Sequence, residues 1–237
     1  MKVSRTRLDR FISSHTGVNR RDVRLMLARG RISVDGELAG CIQQPIHEFT
    51  HVTLDGDVLQ ARKPTYLMLN KPVGVVSATR DDKHTTVIDL LDHPARDSLH
   101  IVGRLDFNTT GLMLLTNDGR WSRALTQPES KVPKCYRVTL ANPLTEDYIA
   151  AFAEGMYFPF EGLTTRPATL RILSDHVAEV VLQEGRYHQI KRMFGRFRNP
   201  VVALHRLSIG DLELDSNLAP GEYRELVCPY PIAEGLV

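Results

Sequence analysis

A short polar loop followed by an apolar strand occupies the stretch GRLDFNTTGLMLLTNDG, residues 103–119. Leu112–Leu115 is apolar and short, as buried strands are. Before it, Asp106 stands two residues after Arg104 and is followed by polar residues 108–110. A carboxylate on a loop anchored by core strands is held rigidly, as catalysis requires, whereas an acid in a turn often only binds its own backbone. From these residues alone, both interpretations of Asp106 stand.

From Thr65 onward, short strand-like runs recur, and turn residues separate them. The predicted strands are Tyr66–Leu69, Val73–Ser77, His100–Val102, Leu112–Leu115, Tyr136–Leu140, Ala168–Leu173, Val177–Leu182 and Val201–Leu204. The predicted helices are Trp121–Leu125, Glu146–Glu154 capped by Thr145, and Tyr187–Phe197. Because strands outnumber helices and most connections are short, the pattern favours an α+β fold with a mainly antiparallel, mixed sheet over a doubly wound parallel one.

Residues 1–60 have a different pattern, in which two short helices precede hairpin-like strands. The apolar residues of Leu8–Ile12 share one helical face, and Asn19 is a candidate N-cap for the second helix. Asp35-Gly36 marks a tight turn. We therefore expect a small domain at 1–60, a linker at 61–64 and a larger domain at 65–237.

Positive charge is concentrated in two parts of a chain whose net charge is only +2. Residues 1–31 hold nine Lys or Arg and two acidic residues, a net charge of +7. The candidate RNA contacts in this region are Arg7, Arg10, Arg20, Arg21, Arg24, Arg29 and Arg31. The second cluster consists of Arg186, Lys191, Arg192, Arg196, Arg198 and Arg206, with His188 and His205. One such cluster is often only a solvated helix face, but two in a small chain favour a nucleic-acid partner.

The composition excludes several classes of protein. Of the 237 residues, 42% are hydrophobic and 24% are charged, which is enough apolar material for a core. No apolar run approaches the roughly 18 residues of a membrane span. Cys41, Cys135 and Cys228 are too few and too far apart for a disulfide framework or a zinc cluster. We expect a protein of the reducing cytoplasm with no metal and no membrane partner.

Three segments resemble the motifs of the pseudouridine synthases, and in particular of the RsuA-like family of ribosomal RNA enzymes. They are YLMLNKPVG at 66–74, the stretch at 103–119, and EGRYHQIKRMF at 184–194. KCYRV at 134–138 resembles the strand that supplies the active-site tyrosine in that family. Residues 1–60 resemble the alpha-L RNA-binding module, first described in a small-subunit ribosomal protein. The resemblance covers nearly the whole chain and implies an RNA-modifying isomerase.

The resemblance also implies roles for individual residues. Asp106 would be the nucleophile, Tyr136 would stack on the flipped uracil, and Lys191 would be the cation beside Asp106. The implied substrate-binding residues are Arg104, Ile190, Arg186, Arg192, Asn70 and Lys71. Arg104 would fill the gap that the flipped base leaves. Lys191 stands where many relatives have arginine, so it keeps the charge but lacks the planar fork of a guanidinium.

The implied reaction breaks the glycosidic bond of a uridine, turns the uracil and rejoins it to the ribose through carbon. It gains no atoms or electrons, so we expect no cofactor. Positive charge develops on the sugar, and a carboxylate answers it either by bonding to the sugar carbon or by removing a ribose proton. Both routes remain open. We expect Asp106 in a site that excludes water, where a nearby cation favours the ionised form.

The third motif indicates the substrate. Residues 186–191 read Arg-Tyr-His-Gln-Ile-Lys, where large-subunit relatives tend to read Gly-Arg-Asn-Arg-Gln, and this contrast favours 16S over 23S rRNA. We therefore expect a monomeric enzyme that acts on 16S rRNA within a small-subunit assembly intermediate. Three alternatives remain: a pseudouridine synthase for 23S rRNA, an RNA-binding factor without catalysis, and a nucleic-acid glycosylase, which would release free base.

Overall fold

The computed structural model describes residues 6–227. The chain divides into two compact units, Met1–Pro64 and Thr65–Val237. Two of the basic residues counted at the N-terminus, Lys2 and Arg5, and also Cys228, lie outside the described residues. Within residues 6–227, each helix is too short or too polar to cross a lipid bilayer.

The smaller unit has two helices and an antiparallel four-stranded sheet in the order β3-β2-β5-β6, with β1 and β4 paired separately. Its elements are β1 Thr6–Arg7, α1 Leu8–Thr16, α2 Arg20–Ala28, β2 Ile32–Val34, β3 Glu37–Leu38, β4 Pro45–Ile46, β5 Val52–Leu54 and β6 Asp57–Gln60. Asn19 is the N-cap of α2, since its Oδ1 accepts hydrogen bonds from the backbone N–H groups of Arg21 and Asp22. Apolar side chains of both helices join those of β2, β4 and β5 in one core.

The larger unit is built on a nine-stranded sheet. Its elements are β7 Tyr66–Lys71, β8 His100–Val102, β9 Thr109–Thr116, α3 Gly119–Thr126, β10 Lys134–Leu140, α4 Asp147–Glu154, β11 Tyr157–Phe158, β12 Leu163–Thr164, β13 Thr169–Ser174, β14 Val177–Leu182, α5 Gln189–Gly195, β15 Val201–Ile209, β16 Leu212–Glu213 and β17 Tyr223–Glu225. Two short 3-10 helices lie at Arg96–Ser98 and Pro128–Ser130. The main strand order is β13-β14-β10-β15-β9-β7-β17, with β16 on β15 and β8 on β9.

One pair in this sheet, β9 with β15, is parallel, and the other pairs among the described residues are antiparallel. The expected α+β fold with a mixed, mainly antiparallel sheet is therefore confirmed. The parallel pair matters for the site, because it sets Thr109–Gly111 beside Leu204–Arg206.

Strands β7 and β9 lie inside the sheet, between β15 and β17, and are buried on both faces. Leu67 and Met113 belong to one apolar core, while Met68 and Leu112 belong to another. Since alternate residues of a strand point to opposite faces, these two cores cover the two sides of the sheet. Burial on both sides explains why Leu112–Leu115 is an unbroken apolar run rather than an alternating one.

Three predicted elements differ from the structure. Val73–Ser77 is not a strand: Pro72 has no N–H to donate and Gly74 turns the chain at φ +80°, which leaves one isolated bridge at Val76. The helix predicted at Tyr187–Phe197 is shorter, because its N-cap residue, His188, has left-handed backbone angles. Helix α4 begins without a side-chain cap, so Thr145 does not have the predicted role.

Candidate active site

Buried side chains fix the backbone of the loop that carries Asp106. The Ser77 hydroxyl donates to the Leu105 carbonyl at 2.6 Å and accepts from the Leu105 N–H at 3.0 Å. The backbone N–H of Gly74 donates to the Phe107 carbonyl at 3.0 Å. Asp106 thus lies between two residues whose carbonyl groups both accept hydrogen bonds from outside the loop, so the backbone is fixed on both sides of this carboxylate.

Lys71 also holds the backbone of this loop. Its side chain is fully buried, and its ammonium group donates to the carbonyls of Pro72 at 2.9 Å, Phe107 at 3.3 Å and Thr109 at 2.9 Å. The pKa of Lys71 is lowered to about 8: burial is the main cause, the negative charge of Asp106 opposes the shift, and the charge of Arg206 adds to it. Lys71 therefore holds the loop and contributes positive potential near the carboxylate, and its side chain does not line the cavity described below.

Arg206 ties the two ends of the loop together. It is 1% exposed, and its guanidinium donates to the Leu112 carbonyl at 2.7 Å and to the Gly103 carbonyl at 2.8 Å. Burial lowers its pKa, while the hydroxyl of Tyr136 opposes that shift. This position corrects the expectation that Arg206 belongs to an exposed basic cluster. Gly111 makes the arrangement possible, since it has φ +100° and a Cβ there would overlap the Arg206 carbonyl oxygen.

The carboxylate of Asp106 faces a lysine and a histidine of the third motif. Its Oδ2 lies 3.4 Å from Lys191 Nζ and 3.4 Å from His188 Nε2. Within residues 6–227 this carboxylate makes no hydrogen bond to the backbone of its own loop, so it has no structural role in the turn. The three side chains are each about one-third exposed, at 32%, 31% and 36%. The expected exclusion of water from Asp106 is therefore not achieved by the protein chain alone.

A small cavity of about 100 Å³ lies in front of Asp106. Tyr136, at 9% exposure, and Ile190, at 4%, contribute to its walls. The other lining residues are Arg104, Leu105, Thr109, Leu182, Gly185, Arg186, His188, Gln189, Lys191 and Leu204. Asp106, Tyr136 and His188 also line a wider cleft of about 980 Å³. The structure thus offers a small slot lined by one acid, a lysine and a histidine beside Tyr136 and Ile190, next to a groove large enough for a polymer.

The structure brings six of the nine predicted catalytic and substrate-binding residues to this cavity: Asp106, Tyr136, Lys191, Arg104, Ile190 and Arg186. Arg104 is exposed and has no ion-pair partner among residues 6–227. Arg186 is also exposed, and its Nε lies 3.0 Å from Oε2 of the buried Glu184.

Two of the other three predicted residues, Asn70 and Arg192, have partners away from the cavity. The Asn70 side chain donates to the Leu218 carbonyl at 2.8 Å. Arg192 pairs with Glu161 at 2.5 Å and lies over the Phe158 ring at 4.0 Å. Arg192 therefore joins the β11–β12 hairpin to α5. Together with Lys71, these residues support the surroundings of the site and do not line it.

The seven predicted RNA-binding arginines of the smaller unit fall into two groups. Arg7 and Arg20 pair with the fully buried Asp9 at 2.8 and 3.3 Å, and Arg31 pairs with Asp55 at 2.5 Å. The other four are exposed and have no ion-pair partner among residues 6–227; they are Arg10, Arg21, Arg24 and Arg29. Only this second group has its full charge available to a partner.

Sequence reasoning missed the positions of His188 and Arg206 at the site. His188 could have been found, because it precedes Lys191 by three residues and such neighbours share a face when the chain turns helically. Arg206 gave no local signal, since only the pairing of β15 with β9 carries it under the loop. Among residues 6–227, no three His, Cys, Asp or Glu side chains are grouped as a metal site would require.

Comparisons with known proteins identify the family of this chain. Residues 65–195 match the family model described as RNA pseudouridylate synthase. The chain is 51% identical to the ribosomal small subunit pseudouridine synthase A of Pseudomonas aeruginosa, over 93% of this chain and 96% of that protein. It is 44% identical to the enzyme of the same name from Escherichia coli, over 93% and 96% of the two chains. A solved structure titled pseudouridylate synthase superposes with a TM-score of 0.68 at 41% identity, covering 94% of this chain and 96% of that one. The chain therefore belongs to the RNA pseudouridylate synthase family.

Proposed function

We propose that this protein converts a uridine of 16S rRNA into pseudouridine and that Asp106 is its catalytic carboxylate. The observation that carries this proposal is the single acid at the mouth of the slot formed by Tyr136 and Ile190, with Lys191 and His188 each 3.4 Å from it. The names of the relatives from Pseudomonas aeruginosa and Escherichia coli support the small-subunit substrate.

The chemistry requires Asp106 to be ionised next to the ribose. As the glycosidic bond breaks, positive charge grows on C1′, and the carboxylate either bonds to that carbon or takes the proton from C2′. The uracil then turns and C5 bonds to C1′, which breaks the C1′–Asp106 ester in the first route; in the second route, Asp106 returns its proton to C2′ as this bond forms. C5 loses its proton and N1 gains one, so no atom or electron is gained overall. In both routes Lys191 places a positive charge 3.4 Å from this carboxylate.

Tyr136 and Ile190 are suited to hold the uracil while it turns. Both side chains are largely buried and form adjoining parts of the slot, so their positions are fixed before the base arrives. An aromatic ring stacks on a base and leaves it free to rotate in its own plane. Arg206 contacts the Tyr136 hydroxyl, and we propose that this hydroxyl helps to remove the proton from C5.

The target base must leave its stack to enter the slot. Arg104 is exposed on the same loop as Asp106 and lines both the slot and the wider cleft. A planar guanidinium can stack on the bases that the target leaves behind. We propose this role for Arg104, and phosphate contacts for Arg186 at the rim of the slot.

We further propose that residues 1–60 form an alpha-L RNA-binding domain, joined by a linker at 61–64 to a catalytic domain at 65–237. The four arginines without ion-pair partners in residues 6–227, Arg10, Arg21, Arg24 and Arg29, would contact phosphates and add affinity without choosing the uridine. The protein would act as a cytoplasmic monomer on a small-subunit assembly intermediate. Comparing naked 16S rRNA, 23S rRNA and assembly particles as substrates tests this assignment, and modification of 23S rRNA alone would contradict it.

The variant Asp106→Asn tests the catalytic assignment. The amide keeps the size of the side chain but cannot act as a nucleophile or a base, so we expect the rate of pseudouridine formation to fall by about four orders of magnitude or more. RNA affinity should stay near that of the unaltered protein. Release of tritium from uridine labelled at C5 measures the reaction, and Asp175→Asn, in the exposed β13–β14 turn, is the matched control.

The same assay separates the alternatives. A glycosylase would release free uracil, and an RNA-binding factor without catalysis would bind 16S rRNA and release neither uracil nor tritium. Undiminished turnover by Asp106→Asn would remove this residue from the mechanism.

A further inference from the structure

An aromatic side chain is exposed at the edge of the wider cleft. Tyr187 is 77% exposed, and its ring stacks on that of His188 with a centroid separation of 3.9 Å and an interplanar angle of 17°. Both residues line the wider cleft together with Asp106 and Arg104. The stacked pair is thus placed beside the carboxylate, since His188 Nε2 is 3.4 Å from Asp106 Oδ2.

The turn beneath the pair is held by a buried polar network. Glu184 is 7% exposed, and its carboxylate accepts hydrogen bonds from the Gln189 amide at 2.7 Å and from Arg186 Nε at 3.0 Å. The Gln189 side chain in turn accepts from the Arg186 N–H at 3.1 Å. These bonds bracket His188, whose φ of +49° is left-handed, a conformation that persists in a non-glycine residue only where surrounding contacts fix it.

The exposed ring of Tyr187 packs against His188 and, within residues 6–227, against no protein core, so it offers a surface on which an RNA base can stack. One face of Tyr187 is covered by His188, and its high exposure leaves the rest of the ring to solvent. When the target uridine leaves its stack, a neighbouring base loses a stacking partner, and an aromatic side chain that is already in place can replace that partner at little entropic cost.

We propose that the stacked pair of Tyr187 and His188 is a platform for a base that flanks the target uridine in the RNA. The proposal rests on the proposed function, because it takes Asp106 as the point to which the target is delivered. Tyr187 is then a binding residue for the flanking nucleotide and takes no part in bond cleavage. Phe160, which is 97% exposed, lies on the β11–β12 hairpin and does not line the cleft.

The variant Tyr187→Ala tests the platform with a 16S rRNA transcript as the probe. Loss of one base–aromatic stack should raise Kd by about 5- to 150-fold, while the single-turnover rate at saturating RNA stays within about threefold. Tyr187→Phe should restore the Kd, since the ring stacks without its hydroxyl. Tyr157→Ala removes a tyrosine that is 53% exposed and does not line the cleft, and it should leave the Kd unchanged.

A fluorescent variant provides an independent measurement. The single tryptophan of the chain, Trp121, is 2% exposed, so Tyr187→Trp adds an exposed reporter. We expect RNA to quench this reporter and to leave Tyr157→Trp unchanged. An unaltered Kd for Tyr187→Ala, or an unquenched Tyr187→Trp, would overturn the platform.

A Tyr187→Ala variant with unchanged Kd and a collapsed saturating rate would assign Tyr187 to the chemistry instead. The proposed function fails separately, if the unaltered protein releases no tritium, because binding and quenching do not depend on turnover.

Discussion

Arg206 joins the two ends of the loop that carries Asp106, and replacing it by methionine should slow the reaction about 100-fold in a protein that remains folded. The variant removes two hydrogen bonds from a charged donor, to the carbonyls of Leu112 and Gly103. At about 1.5–3 kcal/mol each, these amount to about 3–6 kcal/mol. A large part of that loss is offset, because the buried guanidinium has no acidic partner among residues 6–227 and its removal relieves a desolvation cost of several kcal/mol.

The net effect of Arg206→Met on the free energy of unfolding should therefore be about 1–3 kcal/mol. Catalysis is more sensitive to position. Asp106 is three residues from Gly103, and a displacement of about 1 Å at a reacting group costs about 100-fold in rate. We thus expect kcat to fall about 100-fold in a protein that remains folded. The kcat of Arg206→Lys should lie between those of Arg206→Met and the unaltered protein, because a single ammonium group cannot reach both carbonyls as the guanidinium fork does.

Two measurements on each variant separate position from stability: urea unfolding followed by circular dichroism, and single-turnover tritium release from 16S rRNA. Arg137→Met, an exposed residue on the neighbouring strand β10, is the matched control and should leave both quantities near their original values. A folded Arg206→Met with kcat within about twofold of the original would refute the reasoning. So would activity lost only in proportion to the fraction of unfolded protein.

Three further changes test other parts of the molecule. Gly111→Ala should lower the free energy of unfolding by about 3 kcal/mol or more, measured in urea, because its Cβ would overlap backbone of β15 and its φ is +100°. Lys71 has a folded pKa of about 8 against 10.5 when exposed, so between these pH values the unfolded chain binds more protons and stability rises with pH. Relative to Lys71→Met, the unfolding free energy should gain about 3 kcal/mol from pH 7.5 to 10.5, and a flat difference would contradict the burial of a charged lysine. The double variant Arg21→Ala with Arg24→Ala should lower the slope of log Kd against log salt for 16S rRNA by about 1.5, while Arg31→Ala, paired with Asp55 in the structure, should change it little.

The local pattern of hydrophobic residues correctly predicted those strands whose burial is visible in their own sequence. The run Leu112–Leu115 is a strand, and Val177–Leu182 has the predicted bounds. The strand containing Leu112 is longer than predicted, because Thr109 and Thr110, interpreted as loop residues, pair with β15 in parallel. A parallel partner about a hundred residues away leaves no mark on the local pattern, and threonine is suited to both strand and loop.

The site, too, could be predicted only in part, because some of its contacts depend on segments that are far apart in the sequence. Asp106, Tyr136 and Lys191 lie in motifs that could be recognised, and the structure brings them to one cavity. Residues that are adjacent on a strand face opposite sides of the sheet. Sequence analysis predicted substrate binding for both Asn70 and Lys71, but it could not show which side faces the cavity, and Lys71 points under the loop. Nor could it show that Arg192 is engaged by Glu161 of a distant hairpin, since ion pairing between remote segments depends on the fold.

Two sets of side chains surround Asp106: two that hold the backbone of its loop and two that face its carboxylate. Lys71 and Arg206 are buried, donate to carbonyls and keep the loop in place whether or not RNA is bound. Lys191 and His188 are about one-third exposed and contact the carboxylate directly. Under the proposed function, a ribose that enters the slot would compete with them for Asp106. Exposed ion pairs are weak in water and strengthen when water is excluded. Under the proposed function, RNA that covers the cleft would therefore strengthen the attraction between Lys191 and Asp106.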